Sequence, residues 1–405
     1  MKILVVSQYF YPEDFKINDA VEYLVSSGHE VRVLTAFPNY PSGSFFDGYR
    51  LVDKYPKLYK GAQVYRAPII ARKKNAISLV LNYVSFPLSA KIYASRILNE
   101  FHPDIVLGFQ LSPIWSMLPA SYLSRHLKIP FVLWCLDLWP ESYFSNFRFR
   151  NYFVDEWVKR SAENIYRTAT ALAVTTKSFS KNLEQVTGIH IGEIYHLPNW
   201  AEDAYFNLSE EIEIFDNNSF NIVFAGNIGE SQGLDVVLKA AFETTETNIC
   251  WHLFGDGRYW SKLRKEADLL GVSNLIFHGR VSLDKLPSIY REANALLLTL
   301  KPNQGYSTTI PGKFAGYLTS GTPILTNIIG EVKELIETYS LGFYFDGESE
   351  QDLLHAVEVI KQMSQPELLK LAENAKQFYE RNYAKKTVLN KLELFLINTL
   401  GNYNV

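Results

Sequence analysis

Three short loops in the second half of the chain combine glycine with polar residues, and each follows an apolar run. The loop residues that could contact a ligand are Gly226, Asn227, Gly255, Asp256, Arg280 and Val281. Glycine lets backbone N–H groups approach a phosphate closely, and the start of a following helix favours negative charge. Ordinary turns between strands and helices also use glycine. Three such loops in one domain nevertheless favour a nucleotide site.

The segment TTIPGK at residues 308–313 places a lysine at the expected start of a helix. Pro311 and Gly312 suit that first turn, whereas the charge of Lys313 opposes the helix dipole. A cation here is explained if it faces an anion such as a diphosphate, with Thr308 in the same site. A solvated lysine is the alternative.

Metal-binding patterns are absent from the sequence. It contains no Asp-x-Asp, and no group of His and Cys has the spacing of metal ligands. We therefore expect a site without metal or other cofactor, in which loop amides and cations neutralise a diphosphate. Cys135 and Cys250 lie in apolar runs and predict buried thiols in a reducing cytoplasm.

In the first half, the segment DLWPES at residues 137–142 follows a strongly apolar run. Asp137 and Glu141 would then stand at the carboxyl end of a strand, where this class of fold places catalysis. One of them could act as a base or stabilise charge. Trp139 could stack on a sugar or simply pack.

A second pair of carboxylates, Glu13 and Asp14, follows the first apolar run, with Lys16 nearby. These three residues are candidates for the same edge of the sheet. A solvated loop that caps a helix is the alternative.

The charges are unevenly distributed along the chain. Residues 1–198 hold 22 Lys/Arg against 16 Asp/Glu, and the remainder holds 18 against 27. Eight basic residues fall within 50–74, and the uncharged stretch 75–90 follows. A spanning helix needs roughly 20 apolar residues, so segment 50–96 predicts contact with a membrane surface rather than a span. No nucleic-acid motif accompanies the charge, and a solvated face is the alternative.

Short apolar runs alternate with helical patterns through the whole chain, which predicts parallel sheets with crossover helices. The predicted strands are 3–7, 30–35, 105–108, 131–136 and 172–175, then 221–225, 250–255, 275–278, 295–300, 323–326 and 342–345. The segment LPNW at 197–200 interrupts the pattern. The predicted fold is α/β, with two doubly wound, Rossmann-like domains at 1–198 and 199–384 that face each other across a cleft.

Several segments together resemble bacterial glycosyltransferase family 4 enzymes of the L-fucosamine transferase type. They are SQYFYPEDFKIND at 7–19, GHEV at 28–31, FPNYP at 37–41, DLWPE at 137–141, LPNW at 197–200, GNIG at 226–229 and QGL at 232–234. The resemblance implies a GT-B fold, a nucleotide-sugar donor in the second domain and an acceptor in the first. It also implies retention of the anomeric configuration without a metal, and a helix at 385–405 that packs back on the first domain.

The sequence departs from the wider family at the donor site. An Arg and a Lys usually contact the donor phosphates, and here those positions hold Asn227 and Gln232, as in the fucosamine-type branch. Two glutamates usually stand eight residues apart, and here those positions hold Thr308 and Gly316. The cations that remain are Lys313, Arg280 and Lys301.

With this resemblance, we expect a hexosyltransferase that moves an N-acetylated deoxyhexose such as L-FucNAc from a UDP-sugar to an undecaprenyl-diphosphate-linked glycan. The product would be O-antigen of lipopolysaccharide, or capsule. Asp137, Glu141 and Lys313 would be catalytic, Gln232 would join the donor loops, and Glu13, Asp14, Lys16 and Trp139 would lie on the acceptor side.

We expect this enzyme in the cytoplasm, at the surface of the inner membrane, and the sequence leaves its oligomeric state open. Because the glutamate pair and the phosphate cations are missing, a non-catalytic GT-B subunit is the main alternative. A nucleotide-sugar epimerase on the same fold is a further one.

Overall fold

The structure, a computed structural model, describes residues 1–49, 56–73, 76–146, 151–206, 214–216, 218–301 and 309–403. The chain divides into two compact units. Unit 1 comprises residues 1–197 and 389–405, and unit 2 comprises residues 198–388. Each unit is built on a largely parallel sheet with helices, so the predicted α/β class is confirmed.

Unit 1 contains an eight-stranded sheet in the spatial order β3-β4-β2-β1-β5-β6-β7-β8. The strands are β1 (Lys2–Val6), β2 (Glu30–Ala36), β3 (Leu58–Tyr59), β4 (Ala62–Ala67), β5 (Ile105–Gln110), β6 (Phe131–Cys135), β7 (Ala171–Val174) and β8 (Tyr195–His196). Only the pair β3–β4 is antiparallel among the described strands. β5 and β6 are buried at every residue, which explains why they are continuous apolar runs.

Helices connect these strands. They are α1 (Lys16–Ser26), α2 (Ala76–Leu98), α3 (Leu118–Leu127), α4 (Glu141–Asn146), α5 (Tyr152–Tyr166) and α6 (Phe179–Thr187), with a 3-10 turn at Ile114–Met117. The uncharged stretch after the basic run belongs to α2. This helix is longer than the predicted stretch and contains Pro87.

The sequence-based prediction missed β3, β4 and β8. β4 lies within the basic run that we interpreted as a membrane contact, with a solvated face as the alternative. Arg66 fits neither interpretation, because it is buried. This side chain is only 2% exposed, and it donates to the carbonyls of Tyr11 at 2.6 Å and Ala36 at 3.3 Å. Its guanidinium also lies over the ring of Tyr49. Arg66 therefore holds loops to the sheet. Arg50, Lys54 and Lys74 lie outside the described residues.

Unit 2 contains a six-stranded parallel sheet in the order β11-β10-β9-β12-β13-β14. The strands are β9 (Phe220–Ala225), β10 (Ile249–Phe254), β11 (Leu275–Gly279), β12 (Ala295–Leu298), β13 (Ile324–Thr326) and β14 (Gly342–Tyr344). Alternate residues of a strand point to opposite faces. Ile222 and Phe224 accordingly join one apolar cluster, and Val223 and Ala225 join another. The sheet is therefore covered on both faces.

The helices of unit 2 are α7 (Asp235–Glu243), α8 (Trp260–Leu270), α9 (Leu286–Glu292), α10 (Lys313–Ser320), α11 (Glu331–Tyr339), α12 (Glu350–Gln362) and α13 (Gln365–Asn382). The last helix, α14 (Lys385–Tyr403), begins in unit 2 and continues in unit 1. In unit 1, Glu393 of this helix contacts His29 at 2.9 Å, and Phe395 stacks on Tyr195.

Candidate active site

The three glycine loops of unit 2 meet at one edge of its sheet, because β11, β10 and β9 are neighbours. The Gly226 N–H donates to the Phe254 carbonyl at 2.9 Å, and the Gly255 N–H donates to the Gly279 carbonyl at 2.6 Å. Gly255 has a φ of +126°, and a Cβ atom there would lie 1.9 Å from the carbonyl oxygen of Gly226. Only glycine allows this approach, so these glycines are required by the loop geometry.

A cavity of about 300 Å³ opens beside the loops. Its lining residues are Ala225, Gly226, Asn227, Phe254, Gly255, Asp256, Arg280, Val281 and Leu286. All six loop residues predicted for the donor site are among them. Arg280 and Asp256 are exposed and form an ion pair at 2.6 Å, which marks the solvent side of the cavity. The cavity thus combines an apolar wall with a polar, charged opening.

Lys313 is the first residue of α10, and its side chain points back to the end of β9. Its Nζ donates to Gln232 Oε1 at 3.1 Å and lies 3.7 Å from the centre of the Phe224 ring. A Cβ atom on Gly226 would come within 3.0 Å of Nζ. Burial lowers the pKa of Lys313 to about 7, because the ammonium is poorly solvated. The structure therefore brings together Lys313, Gln232 and Gly226, three candidate residues that are separated in sequence.

The other residues near α10 are less directly engaged. Pro311 is half-buried and Gly312 is exposed immediately before the helix. Lys301, which we considered as a further cation, pairs with Glu230 at 3.2 Å and with Asp235 at 3.9 Å. Its charge is already compensated by carboxylates of its own unit.

One of the two positions where the wider family has a glutamate can be described. Thr308 lies outside the described residues. Gly316 lies on α10, where a Cβ atom would come within 2.8 Å of the ring of Tyr205. An aromatic ring therefore fills the space beside position 316, and a longer side chain there would have to displace it.

In unit 1, Asp137 follows β6 and is largely enclosed. Its Oδ2 accepts the backbone N–H of Ser112 at 3.0 Å, and its carbonyl accepts from Gln110 Nε2 at 2.8 Å. Burial raises the pKa of the Asp137 carboxyl, and the hydrogen bonds from Ser112 oppose the rise. A carboxylate that is fixed in place and partly desolvated can accept a proton or interact strongly with a nearby cation.

The neighbours of Asp137 differ from what the sequence suggested. Trp139 is 3% exposed, and its Nε1 donates to Ser112 Oγ at 2.9 Å, so the structure favours the packing alternative over sugar stacking. Glu141 is exposed at the start of α4 and accepts from Asn182 Nδ2 at 3.1 Å. Nothing in these contacts gives Glu141 a part in the Asp137 cluster.

Glu13 is buried, which the alternative of a solvated loop did not anticipate. Its carboxylate accepts three backbone N–H groups, from Tyr40 at 2.7 Å, Asn39 at 2.8 Å and Phe10 at 3.3 Å. Burial raises its pKa to about 7 against these hydrogen bonds. Glu13 therefore ties the FPNYP loop to the loop after β1. Asp14 is exposed, and Lys16 is half-buried at the first turn of α1.

Sequence reasoning missed a polar group at the same sheet edge as Asp137. Gln8 and Gln110 follow or end the neighbouring strands β1 and β5, and both are buried. Their Oε1 atoms have no hydrogen-bond partner within the described part of the chain. Burial raises the pKa of Tyr83, Arg72 opposes the rise and Asp137 adds to it, so these side chains lie close together. The available signal was the polar residue that terminates each apolar run.

Two family models divide the chain as the two units do. Residues 17–204 match glycosyltransferase family 4, and residues 219–362 match glycosyl transferases group 1. Two α/β units that carry these domains define a glycosyltransferase with the GT-B fold, and the chain is therefore a transferase enzyme. Together the two models cover most of the chain, and the model that matches its first unit is that of glycosyltransferase family 4.

Individual relatives align with this chain over nearly its whole length. The chain is 24% identical to the putative colanic acid biosynthesis glycosyl transferase WcaI of Escherichia coli K12, over 96% of this chain and 98% of WcaI. The structure of Anabaena Alr3699/HepE in complex with UDP aligns with a TM-score of 0.71 at 14% identity, over 98% of this chain and 100% of HepE. WaaG, a glycosyltransferase involved in lipopolysaccharide biosynthesis, aligns with a TM-score of 0.61 at 15% identity, over 98% and 99%. These structural likenesses confirm the fold.

Proposed function

We propose that this enzyme transfers a sugar from UDP to a lipid-linked glycan during the synthesis of a cell-surface polysaccharide. The observation that carries the proposal is the placement of Lys313 between Gly226 and Gln232, beside a nucleotide-sized cavity. A poorly solvated ammonium at the start of a helix is a site for a diphosphate. Loss of the sugar leaves negative charge on that diphosphate, where Lys313 stabilises it.

The donor nucleotide occupies unit 2 in this proposal. The cavity offers an apolar wall of Phe254 and Val281 to a base, and the loop glycines leave room for the phosphates. HepE has been solved in complex with UDP and with UDP-glucose, which supports UDP as the nucleotide. Recognition of the ribose cannot use a carboxylate at position 316, because this residue is a glycine and the ring of Tyr205 fills the space beside it.

Lys313 supplies the neutralising charge, so the proposed reaction needs no divalent metal. Within the described residues, no group of three or more His, Cys, Asp and Glu side chains could hold an ion. The desolvated Lys313 instead acquires its full charge when the diphosphate arrives, which concentrates the stabilisation on the bound state.

The acceptor occupies unit 1. Gln8, Gln110 and Asp137 present buried polar groups at one sheet edge, and two of them have oxygen atoms that a sugar hydroxyl could satisfy. In the transfer, the bond between the anomeric carbon and the diphosphate breaks and a bond to an acceptor oxygen forms. The acceptor proton leaves through Asp137 or with the diphosphate. We propose retention of configuration and an N-acetylated deoxyhexose such as L-FucNAc, both from the resemblance to fucosamine-type transferases.

A lipid-diphosphate carrier, such as undecaprenyl diphosphate, completes the proposal for the acceptor. The names of WcaI and WaaG associate these relatives with colanic acid and lipopolysaccharide synthesis, respectively. A lipid-linked acceptor is presented at a membrane, so the enzyme would work as a peripheral protein at that surface.

Calorimetric titration of the whole protein with UDP, with and without a chelator, tests the donor site directly. We expect binding that the chelator does not change and that Lys313→Ala weakens. A titration abolished by chelator would overturn the metal-free part of the proposal. If neither UDP nor another nucleoside diphosphate binds, the non-catalytic alternative replaces the proposal.

A further inference from the structure

Helix α2 presents an apolar face that no other described part of the chain covers. The exposed apolar residues on this face are Ile77, Val80, Leu81, Val84, Leu88 and Ile92. Their spacing by one, three and four places them on one side of the helix. Ile77 is 75% exposed, Leu88 65% and Ile92 64%. We call these six residues the α2 stripe. A helix of a water-soluble surface normally shows charged residues on such a side.

A groove with cationic walls adjoins the carboxyl-terminal half of the stripe, between α2 and α3. It has a volume of about 550 Å³, and its lining includes Leu88, Lys91, Leu118, Tyr122, Arg125 and His126. Lys91 Nζ lies 4.7 Å from the centre of the Tyr122 ring, and that ring stacks on His126. Lys91 and Arg125 are both exposed, so their charges are available to a ligand, and the His126 ring is exposed beside them.

The charge of this region selects among possible occupants. α2 contains no Asp or Glu in its 23 residues, and the groove lining contains none either. A second copy of the chain that covered the stripe would bring the same cationic groove and no carboxylates from α2, so a partner with negative charge fits better. No helix among the described residues is long and apolar enough to cross a bilayer. A helix with an apolar face beside cations instead lies in the interface of an anionic membrane.

The amino-terminal end of α5, also in unit 1, carries further exposed aromatic residues. α5 and α2 both pack against the 3-10 turn Ile114–Met117, where Trp115 contacts Trp157 of α5 at 5.1 Å between ring centres. Tyr152 is 76% exposed and Phe153 is 80% exposed. Exposed aromatic rings of this kind are enriched at the level of lipid headgroups.

We infer that the groove between α2 and α3 binds the phosphate of an anionic phospholipid while the α2 stripe inserts among the acyl chains. Lys91 and Arg125 contact the headgroup phosphate, and Leu88 and Leu118 continue the apolar surface toward the lipid tails. This site is separate from the donor loops of unit 2. The inference rests on the proposed use of a lipid-linked acceptor, because it explains how the enzyme is held at the surface that carries that acceptor.

Flotation of the full chain with lipid vesicles tests the inference without donor or acceptor. We expect binding to vesicles of phosphatidylcholine with 30% phosphatidylglycerol (about a third anionic lipid, as in a strongly charged leaflet) and much weaker binding to phosphatidylcholine alone. Lys91→Gln with Arg125→Gln should weaken binding to the anionic vesicles roughly 20-fold. Leu88→Gln with Ile92→Gln should weaken it at least roughly tenfold.

Matched controls lie on unit 2. Leu269 of α8 is 76% exposed and Lys370 of α13 is exposed, so Leu269→Gln and Lys370→Gln remove the same chemistry elsewhere and should leave flotation unchanged. A circular dichroism spectrum and a thermal unfolding transition like those of the wild type show that each variant is folded, and calorimetry with UDP shows that its unit 2 is intact. The same calorimetry also separates this inference from the proposed function, since UDP binding can succeed when flotation fails.

Three results would overturn the inference. They are wild-type protein that does not float, equal binding to neutral and anionic vesicles, and stripe or groove variants that float like the wild type. A dimer in light scattering that Leu88→Gln with Ile92→Gln dissociates would assign the stripe to a second copy instead.

Discussion

The ammonium of Lys313 occupies the space that a side chain at Gly226 would need. A Cβ atom on Gly226 would lie 3.0 Å from Nζ and 3.3 Å from Cε of Lys313, although the two residues are far apart in sequence. Gly226, directly after β9, and Lys313, at the start of α10, are therefore packed against each other. The absence of a side chain at Gly226 leaves the space that the Lys313 ammonium occupies.

Removing the ammonium should impair catalysis and spare the fold. We expect Lys313→Ala to lower turnover roughly 100-fold or more, because stabilisation of the departing diphosphate is lost. The free energy of unfolding should change by no more than about 1 kcal/mol, because a poorly solvated charge is removed together with its packing. Lys333→Ala is the control, since Lys333 also lies over an aromatic ring, that of Tyr344. Near-normal turnover in Lys313→Ala would exclude this role.

Adding a side chain at position 226 should impair function in a way similar to the loss of the Lys313 ammonium. Gly226 has a φ of +146°, so Gly226→Ala adds backbone strain and also pushes Lys313 from its position. We expect a loss of stability of about 1–3 kcal/mol and weaker UDP binding, measured by chemical unfolding and calorimetry. Gly271→Ala is the control, because its φ is +67° and nothing lies within 4 Å of the added Cβ. This variant adds backbone strain without displacing a neighbouring side chain. If both variants bind UDP equally well, displacement of Lys313 does not matter.

Binding of UDP above pH 7 should draw a proton from solution. The pKa of Lys313 is about 7 in the free protein, and a bound diphosphate raises it, so at pH 8 the lysine gains close to one proton. Titrations in buffers of different ionisation enthalpy measure this uptake. Lys313→Met should abolish it, and heats that are independent of the buffer in the wild type would contradict the assignment.

The same group affects stability without ligand. Between pH 7 and 10.5 the unfolded chain keeps the Lys313 proton and the folded chain does not, so this group makes stability rise with pH across that window. Lys313→Met should flatten the rise.

Glu13 should make the opposite contribution at lower pH. Its pKa rises from 4.5 to about 7 on folding, so the folded chain binds more protons between these values and stability falls as pH increases through them. Glu13→Gln should remove this slope, at a cost of about 1 kcal/mol because one oxygen acceptor is lost. Glu13→Ala leaves three backbone N–H groups without an acceptor and should cost about 2–4 kcal/mol. Urea unfolding at pH 5 and pH 7.5 measures both variants, and a slope unchanged in Glu13→Gln would assign it elsewhere.

Substitutions of the two carboxylates of the DLWPE segment, Asp137 and Glu141, should differ clearly in their effect on turnover. Asp137→Asn keeps an oxygen for the Ser112 N–H, and we expect turnover to fall roughly 100-fold while UDP binding in unit 2 stays the same. Glu141→Gln is the matched comparison, since Glu141 is exposed and contacts Asn182, and its turnover should change less than about threefold. Steady-state kinetics measured as a function of pH test whether Asp137 accepts a proton. If it does, Asp137→Asn should remove one limb of the pH–rate profile. A larger loss in Glu141→Gln than in Asp137→Asn would reverse the assignment.

The strands predicted from the sequence are those that form short, mainly apolar runs. Some of them are buried at every residue, such as β5 and β6, and others are only partly buried, such as β11 and β14. Every predicted strand is present, because strands covered on both faces are apolar throughout and few other elements look like them. β4 escaped prediction because polar residues interrupt its apolar ones and because the charge of Arg66 indicated a solvent-exposed residue. Only the fold supplies the carbonyls of Tyr11 and Ala36 that make its burial acceptable.

The candidate site likewise contains residues that the sequence predicted and residues that it did not. The position of Lys313 opposes the helix dipole, and this local conflict was sufficient to single it out as a candidate for facing an anion. Its contacts with Gln232 and Gly226 are visible only in the structure. Gln8 and Gln110 were not predicted, because a polar residue at the end of a strand looks the same whether it meets water or another loop. Glu13 was a candidate, but its burial was not predicted for the same reason. Trp139 was ambiguous for a related reason, since its type fits stacking on a sugar and packing in a core equally well. The hydrogen bond to Ser112 decides between them.

The shared helix α14 bears on how the protein is made. Unit 1 needs residues from 389 onward, where Glu393 meets His29 and Phe395 meets Tyr195, yet all of unit 2 is translated before them. On the ribosome, unit 2 can therefore complete its fold while unit 1 still waits for its last element. A nascent chain in which synthesis stops within α14 would carry a finished unit 2 and an unfinished unit 1. Full activity thus becomes available only after the last helix has emerged.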